Sequence, residues 1–388
     1  MKIGIDCHNL EGQRTGVGRY LANLLREWNG LTPHRGFATA GLQFFLYFKN
    51  SIPEDIHKLS QHTTGWTLRN FNAKSNVIFK HWILPRAAAR DGVDVLFCPD
   101  YVLPFYTGVG IKIAVTIHDI IYEARPSEYS WPSWKDKILL KWASKQSAKK
   151  ADAIFAPSKF TKSEILKYYR VNSKKIVITP LAADLVFNRS GSDPDRLGKI
   201  RQGYGIRDKY IFFVGSIFNR RFLPQKIQAF AEFGKQYPDF QFLIVGKDHT
   251  KPFQDIAALV VKVNQVLGRE AVVWREQASD EDLVHLYSGA FATLWLSSYE
   301  GFGLPVLESM ACGTPAIITK KASLPEIAGD AAMYIAHPEN PQEIASALGY
   351  LVRSNTYYNE LIERGFARVK KFSWQKCASD ALRGLTNI

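Results

Sequence analysis

Short runs rich in valine, isoleucine and phenylalanine recur along this chain, and helical stretches separate them. In the first half the runs are KIGID, FFLYF, DVLFCP, KIAVTIHD, ADAIFAPS and KIVITP; in the second they are YIFFVGS, FQFLIVG, AVVWRE, ATLWLSS, PAIIT and AMYI. Near-continuous apolar strands alternating with helices predict parallel sheets covered on both faces. Six runs plus six predict an α/β protein of two doubly wound, Rossmann-like domains facing across a cleft. The polar, turn-rich stretch 188–207 reads as a linker between domains at 1–187 and 208–371. The helix predicted over 372–388 is expected to pack back on the first domain. Ligands of such sheets bind outside the carboxyl ends of the strands, so chemistry is expected there.

One strand–loop–helix–strand unit stands out, SSYEGFGLPVLESMACGTP at 297–315. Pro305 suits the first turn of a helix, where its missing N–H is no loss. Leu304, Leu307 and Met310 share an apolar helical face, and Gly313 sits where a glycine ends a helix. Gly301 and Gly303 lie in the loop before that helix, where a ligand can approach the backbone and the helix start attracts phosphate. Glu300 is expected to project from the loop and Glu308 from the first turns of the helix. Carboxylates are poor company for phosphate, so both are expected to contact hydroxyls of a sugar or ribose.

Composition narrows the picture. The 388 residues are 46% hydrophobic and 22% charged, the balance of a folded soluble protein. No apolar run approaches the roughly 18 residues of a membrane span. The opening MKIGID runs into a strand with no leader of secretory type, and Cys7, Cys98, Cys312 and Cys377 lack metal-type spacing. Reduced core cysteines and a cytoplasmic protein are expected. The net charge of +14 is uneven: residues 1–190 hold 27 Lys and Arg against 15 Asp and Glu, a net +12, and the remainder is nearly neutral. An anionic surface or substrate is expected to face the first half. No nucleic-acid module accompanies the charge, so nucleic acid is not an expected partner.

The stretch EGFGLPVLE resembles the Glu-x7-Glu signature of the retaining glycosyltransferases of family 4, which have the GT-B fold. The likeness continues through ACGTPAIIT, ASLPEIAGDAA (322–332), ASDEDLVHLYSGA (278–290), ADAIFAPSKFTKSEILKYY (151–169), TIHD (116–119) and FSWQKCA (372–378). It implies a nucleotide-diphosphate sugar held by the second domain and an acceptor held by the first. It implies sugar hydroxyls on Glu300, ribose hydroxyls on Glu308, and sugar or diphosphate on the backbone N–H groups of Phe302, Gly303 and Leu304. Retention of configuration is attributed in the family to front-face attack, the leaving phosphate oxygen taking the acceptor proton.

A departing diphosphate calls for fixed cations. Where the family has V-G-R-x-x-x-x-K, this chain has VGSIFNRR, so Ser216 stands at the usual Arg and Arg221 at the usual Lys. Arg221, its neighbour Arg220 and Lys226 are the candidate diphosphate ligands, although the opening of a helix accounts equally for Lys226. His118 and Asp119 close the KIAVTIHD run. His118 resembles the residue that contacts the donor sugar, and Asp119 is expected to orient the loop. In RTGVGRY (14–20), Leu21 replaces the third glycine of a dinucleotide fingerprint. The resemblance instead brings Gly16, with Gly18 second, close to the donor phosphate and acceptor. Arg19 is a candidate for an anionic acceptor or a solvated helix residue. Asp193-Pro-Asp195 and Asp280-Glu-Asp282 read as linker and helix cap rather than as cation ligands. No metal or other cofactor is expected.

The segment WPSWKDKILLKWASKQSAKK (131–150) aligns Trp134, Ile138 and Trp142, and separately Lys137, Lys141 and Lys145. Such a helix suits either an anionic membrane surface or a core with a solvated basic face. The expected function is therefore a retaining hexosyltransferase acting on a glycan or lipid-linked oligosaccharide in cell-surface polysaccharide biosynthesis, peripheral on the inner face of the membrane. GDP-mannose is the preferred donor, with glucose, N-acetylglucosamine and rhamnose donors open. Selectivity is expected around Gly246, Lys247, Glu276 and Gln277. The alternatives are a non-catalytic nucleotide-sugar or glycan-binding protein and a dinucleotide-dependent oxidoreductase.

Overall fold

A computed structural model describes residues 1–12, 14, 16–30, 41–61, 63–129, 131, 133–189 and 193–388. The chain forms two compact units: Met1–Ala124, Trp131–Leu181 and Ser373–Ile388 make the first, and Arg125–Ser130 with Ala182–Phe372 the second.

The first unit is built on seven parallel strands, β1 Lys2–Asp6, β2 Gln43–Phe48, β3 Trp66–Asn70, β4 Val95–Cys98, β5 Lys112–Thr116, β6 Ala153–Ala156 and β7 Ile176–Ile178, in the order β3-β2-β1-β4-β5-β6-β7. β3 is one strand more than the apolar runs predicted. Its sequence WTLRN is half-buried and lies at the sheet edge, paired only with β2, so it needs no continuous apolar run. The second unit has six parallel strands, β8 Lys209–Val214, β9 Phe240–Val245, β10 Val272–Arg275, β11 Ala292–Trp295, β12 Ala316–Thr319 and β13 Ala332–Ile335, in the order β10-β9-β8-β11-β12-β13. Both are doubly wound sheets of the same order. The strand order reverses between β1 and β4 in one and between β8 and β11 in the other, and ligands bind at such switch points.

Both cores are assembled from strand residues with almost no exposure, such as Ile3, Ile5, Leu96 and Phe97 in the first unit and Ile211, Phe212, Leu294 and Ile317 in the second. All four cysteines are free and buried. The helix Trp374–Thr386 belongs to the first unit, where it packs along the helix Gly16–Asn29, and Trp28 Nε1 donates to Ala378 O at 2.9 Å.

The expected linker is largely not one. Residues 190–192 lie outside the described residues, but Pro194–Tyr204 is a helix capped by Asp193 and ended by Gly205. Its Leu197 and Ile200 are buried, and it packs on the helix Asp280–Gly289 within the second unit. The polar composition belongs to the outer face of that helix.

Candidate active site

The second unit brings Arg221 and Glu300 together at the switch point. β8 ends at Val214, and the chain passes through Gly215 and Ser216 into a short turn, Asn219–Arg221, before the helix Leu223–Gln236. Gly246, which follows β9, crosses so close that a Cβ there would stand 2.1 Å from Gly215 O, so only glycine fits. Glu300 comes from the loop after β11. Arg221 Nε donates to Glu300 Oε1 at 2.9 Å, Nη2 to Oε2 at 3.4 Å, and Nη1 to Ser216 O at 2.7 Å. Both side chains are nearly buried, 11% and 13% exposed. The Arg221 guanidinium also lies 4.4 Å above the Trp295 ring.

This pair sets the ionisation of Glu300. Burial, the largest influence, pushes its carboxyl up. Arg221 and Arg220, with hydrogen bonds from Arg221 and Ser297, outweigh burial and hold the carboxyl below its usual range. Glu300 is therefore an anion near neutrality. A guanidinium has five donors, and these three bonds leave two on Arg221 for a ligand.

Beyond Glu300 the loop turns through Gly303, whose φ of +122° only glycine adopts comfortably, into the helix Leu304–Ala311. Pro305 sits in the first turn, and Gly313, at φ +78°, follows the helix end, as the sequence predicts. The first N–H groups of a helix lack intrahelical partners and favour anions. Ser323 Oγ lies within hydrogen-bond distance of both Glu300 O (2.8 Å) and Phe302 O (2.6 Å) and so fixes the loop. Glu308, one turn into the helix, is buried, and Tyr287 Oη donates to its Oε2 at 2.9 Å. It is thus more enclosed than the expected reach over the loop mouth.

Lys226 departs furthest from expectation. It is buried with no exposed surface, its Nζ makes no hydrogen bond, and it lies 4.0 Å from the Phe213 ring centroid. A group so enclosed does not meet a diphosphate in this arrangement. The helix Leu223–Gln236 turns this position towards the core with Leu223, Ile227 and Phe230. The Arg220 guanidinium stacks on Phe218 at 4.1 Å. Gly246 and Lys247 follow β9, and Glu276 and Gln277 follow β10, so all four lie at the carboxyl edge of the same sheet.

The first unit also places charge at its switch point. Asp6 ends β1, His8 follows it, Asp100 follows β4, and Lys80 comes from a π-helical turn at Phe79–Ile83. Lys80 Nζ is 3.3 Å from Asp6 Oδ2 and pairs closely with Asp100, while His8 Nδ1 is 2.7 Å from Asp6 Oδ1. Asp6, His8 and Asp100 bring ligand atoms within 4.8 Å of one another, a spacing a metal could use. Lys80 already supplies a buried cation to both carboxylates. Burial raises the Asp6 carboxyl, but Lys80 and His8 overcome it and hold the carboxyl far below its usual range.

His118, just past β5, has its Nε2 3.0 Å from Pro99 O and its ring edge-on to Tyr20 at 5.0 Å. Burial lowers its pKa against the opposing effects of Pro99 and Asp100, so the ring is neutral. The carbonyl fixes the proton on Nε2 and leaves Nδ1 as the acceptor. Asp119 Oδ1 accepts from Ile121 N and orients the loop. Gly16 opens the helix Gly16–Asn29 with nothing within 4 Å of a would-be Cβ, whereas a Cβ at Gly18 would stand 2.4 Å from Asn9 O. Gly16 is thus the accessible glycine and Gly18 the packing one, and Arg19 follows half-buried on the same helix. The two acidic triplets lie at helix starts: Asp193 caps one helix, its Oδ1 accepting from Asp195 N, and Ser279 caps the other, its Oγ accepting from Asp282 N, each at 3.0 Å.

The helix Trp134–Lys150 buries only small residues, Ala143, Ser144, Ser147 and Ala148. Its large apolar side chains point outward, with Trp134 69%, Ile138 61%, Leu139 56% and Trp142 50% exposed. The reading as a core-facing helix is therefore overturned. Lys137 is exposed, while Lys141 is half-buried and 3.3 Å from Glu123, and Lys145 is half-buried. Phe105 and Tyr106 extend the exposed apolar surface, Phe105 lying 6.0 Å from Trp142. No helix among the described residues is long and apolar enough to cross a membrane.

Sequence reasoning missed Trp295, Ser323 and Glu128. Trp295 reads as strand core. Ser323 carries no signal of its own. Glu128 accepts a hydrogen bond from Ser298, whose N–H donates to Arg220 O at 2.9 Å. Their roles depend on long-range contacts that no local pattern encodes.

Residues 14–187 match the model of glycosyltransferase family 4, and residues 198–368 that of the glycosyl transferases group 1. The chain is 26% identical to the O-antigen chain mannosyltransferase B of Escherichia coli, with 98% of each chain covered. It is also 26% identical to the MMP alpha-(1->4)-mannosyltransferase of Mycolicibacterium hassiacum, over 71% of this chain and 65% of that one. Among solved structures it is similar to WaaG, a glycosyltransferase involved in lipopolysaccharide biosynthesis, with a TM-score of 0.71 and 15% identity over the whole of both chains. The Anabaena protein HepE, solved with UDP and glucose, gives a TM-score of 0.70 at 15% identity, again over both whole chains. With two doubly wound sheets of GT-B type and both halves matched, the chain belongs to the family 4, group 1 glycosyltransferases and is a glycosyltransferase.

Proposed function

We propose that this enzyme transfers a mannosyl group from GDP-mannose, with retention of configuration, to a glycan or lipid-linked oligosaccharide in cell-surface polysaccharide biosynthesis. The observation that carries the reading is the Arg221–Glu300 fork at the switch point of the second sheet, beside the glycine turn and helix start at Gly303. The fork supports a division of labour. Glu300 accepts from donor-sugar hydroxyls, while the remaining Arg221 donors, Arg220 and the N–H groups of Phe302, Gly303 and Leu304 hold the diphosphate. Glu308, oriented by Tyr287, receives the ribose hydroxyls. His118 accepts a sugar hydroxyl at Nδ1, Gly16 gives the donor phosphate and acceptor room, and Arg19 meets an anionic acceptor.

Glu300 is engaged as a hydroxyl and guanidinium partner, which suits the front-face route, in which the leaving phosphate oxygen takes the acceptor proton. The cations are the protein's own, so the reaction requires no metal. The names of the Escherichia coli and Mycolicibacterium relatives favour mannose. The outward apolar residues of Trp134–Lys150, interspersed with Lys137, Lys141 and Lys145, favour peripheral attachment to an anionic membrane on its inner, cytoplasmic face.

A donor panel tests the reading. GDP-mannose, UDP-glucose, UDP-N-acetylglucosamine and dTDP-rhamnose are each incubated with enzyme and a mannose-terminated acceptor, with and without EDTA. Transfer from GDP-mannose that resists EDTA, with a one-bond C1–H1 coupling showing the donor's anomeric configuration, is expected. Transfer from another donor only, or an inverted product, overturns that part of the reading.

A further inference from the structure

Lys226 is a buried basic residue whose amine has no hydrogen-bonding partner. Its side chain is fully buried, its Nζ makes no hydrogen bond, and it lies over the Phe213 ring, 4.0 Å from the centroid. Phe213 stacks on Trp295, with centroids 5.7 Å apart and planes 17° apart, and Trp295 carries the Arg221 guanidinium at 4.4 Å. Two basic side chains therefore sit on one stacked aromatic pair, and one of them, Arg221, holds Glu300. Lys226 also lies in the first turn of the helix Leu223–Gln236, whose positive end opposes another positive charge. The charged groups facing it are Arg221, from the turn before its helix, and Glu300, from the loop after β11. Glu300 is already gripped twice by Arg221.

We propose that Lys226 is a proton-switched cation of the donor site, neutral in the resting enzyme and protonated when a nucleoside diphosphate binds beside Arg221. The inference rests on the nucleotide-sugar reading above. In the resting state, burial first and Arg221 second push the Lys226 amine well below its ordinary pKa, and the pull of Glu300 does not compensate. A bound diphosphate brings several negative charges to Arg221 and reverses the sign of the local field. The amine then takes one proton from solvent, –NH2 becoming –NH3⁺, and no other bond changes. A second cation appears as charge builds on the leaving diphosphate, and it is lost again when the product departs.

Two measurements test this. Titration calorimetry of GDP and UDP at pH 7.5, in phosphate and in Tris, counts the protons exchanged per nucleotide. The wild type is expected to take up about one proton more than Lys226→Met or Lys226→Gln. Equal counts in wild type and variants overturn the inference while leaving the nucleotide reading intact, and failure of both nucleotides to bind overturns both. The second measurement uses no ligand. An unfolded lysine titrates near pH ~10.4, so a buried neutral Lys226 lowers wild-type stability relative to Lys226→Met progressively as pH falls below that value. The melting-temperature gap between the two is expected to widen by several degrees from pH 10 to pH 7. A gap that stays constant means a charged resting lysine and overturns the inference.

Discussion

Arg221 grips Glu300 with two prongs, Nε to Oε1 at 2.9 Å and Nη2 to Oε2 at 3.4 Å, and braces its remaining nitrogen on Ser216 O. The loop after β8, from Ser216 to Arg221, and the β11 loop, 79 positions away, are locked by one guanidinium. A lysine cannot reproduce this planar fork.

Glu300→Ala should therefore separate chemistry from binding. Transfer is expected to fall by at least about 10²–10³-fold, while nucleoside-diphosphate affinity stays within a few-fold of wild type. Stopped-time transfer assays and calorimetry check the two halves. Near-native turnover would remove Glu300 from the role proposed for it. The variant should also lose about 3 kcal/mol of stability near neutrality, because Arg221 is left nearly buried without its partner. The Glu300 carboxyl is held below its usual value, so its stabilising contribution is present above about pH 4.3. It fades as pH falls through the lower folded value, and the stability gap between wild type and variant should close in acid.

The exposed face of Trp134–Lys150 predicts binding to vesicles that contain anionic phosphatidylglycerol and little binding to neutral phosphatidylcholine. Each basic residue near such a surface contributes on the order of 1 kcal/mol, and interfacial tryptophans add to it. Trp134→Ala with Trp142→Ala should weaken flotation about tenfold, and Lys137→Glu should make the residual binding less sensitive to salt. Transfer to a water-soluble acceptor should be unchanged by the tryptophan pair. Identical flotation by wild type and the double variant would exclude this face as the contact.

Glu128 comes from a six-residue segment of the first half of the chain that is part of the second unit. Its carboxylate receives the Ser298 hydroxyl, and Ser298 N–H holds Arg220 O at 2.9 Å, one residue from the Arg221 fork. Glu128→Ala should lower kcat about tenfold with little change in nucleotide affinity, and Glu128→Gln, which still accepts a hydrogen bond, should restore most of it. Ser298→Ala should have a similar effect that does not add to that of Glu128→Ala. Full additivity would mean the two residues act separately.

These contacts mark what the sequence could and could not convey. Twelve of the thirteen strands among the described residues were legible because a strand covered on both faces is apolar throughout, and β3 was not because an edge strand is only half covered. The helix Leu304–Ala311 was legible from Pro305 and Gly313, since backbone constraints fix its two ends. The fork itself was not. Arg221 and Glu300 stand 79 positions apart, and their pairing depends on β8 and β11 lying side by side. Burial of Lys226 runs against hydropathy, whereas the pattern around Trp134 allows either an outward or a core-facing side, and Trp134 is exposed.

The buried Asp6–Lys80–Asp100 cluster allows a prediction about stability in which burial sets the magnitude. Lys80 is 7% exposed and Asp6 not at all, so solvent screens their attraction little. Lys80→Met removes the cation and leaves Asp6 with His8 as its remaining positive partner, at a cost of about 3–5 kcal/mol near neutral pH. His8 softens the loss, because its pKa is raised: burial, the largest influence, lowers it, but Asp6 more than offsets that. The double variant Asp6→Asn/Lys80→Met should be more stable than the sum of the single changes predicts, since it no longer buries an unpaired carboxylate. The sign in acid follows from the same charge. Without Lys80, the Asp6 carboxyl is released from its depressed value and protonates more readily, so the destabilisation caused by Lys80→Met should shrink below about pH 4. Denaturant titrations of the three variants between pH 3.5 and 7.5 measure this directly. A cost independent of pH would mean that Lys80 stabilises the unit by packing alone and that the charge network contributes nothing.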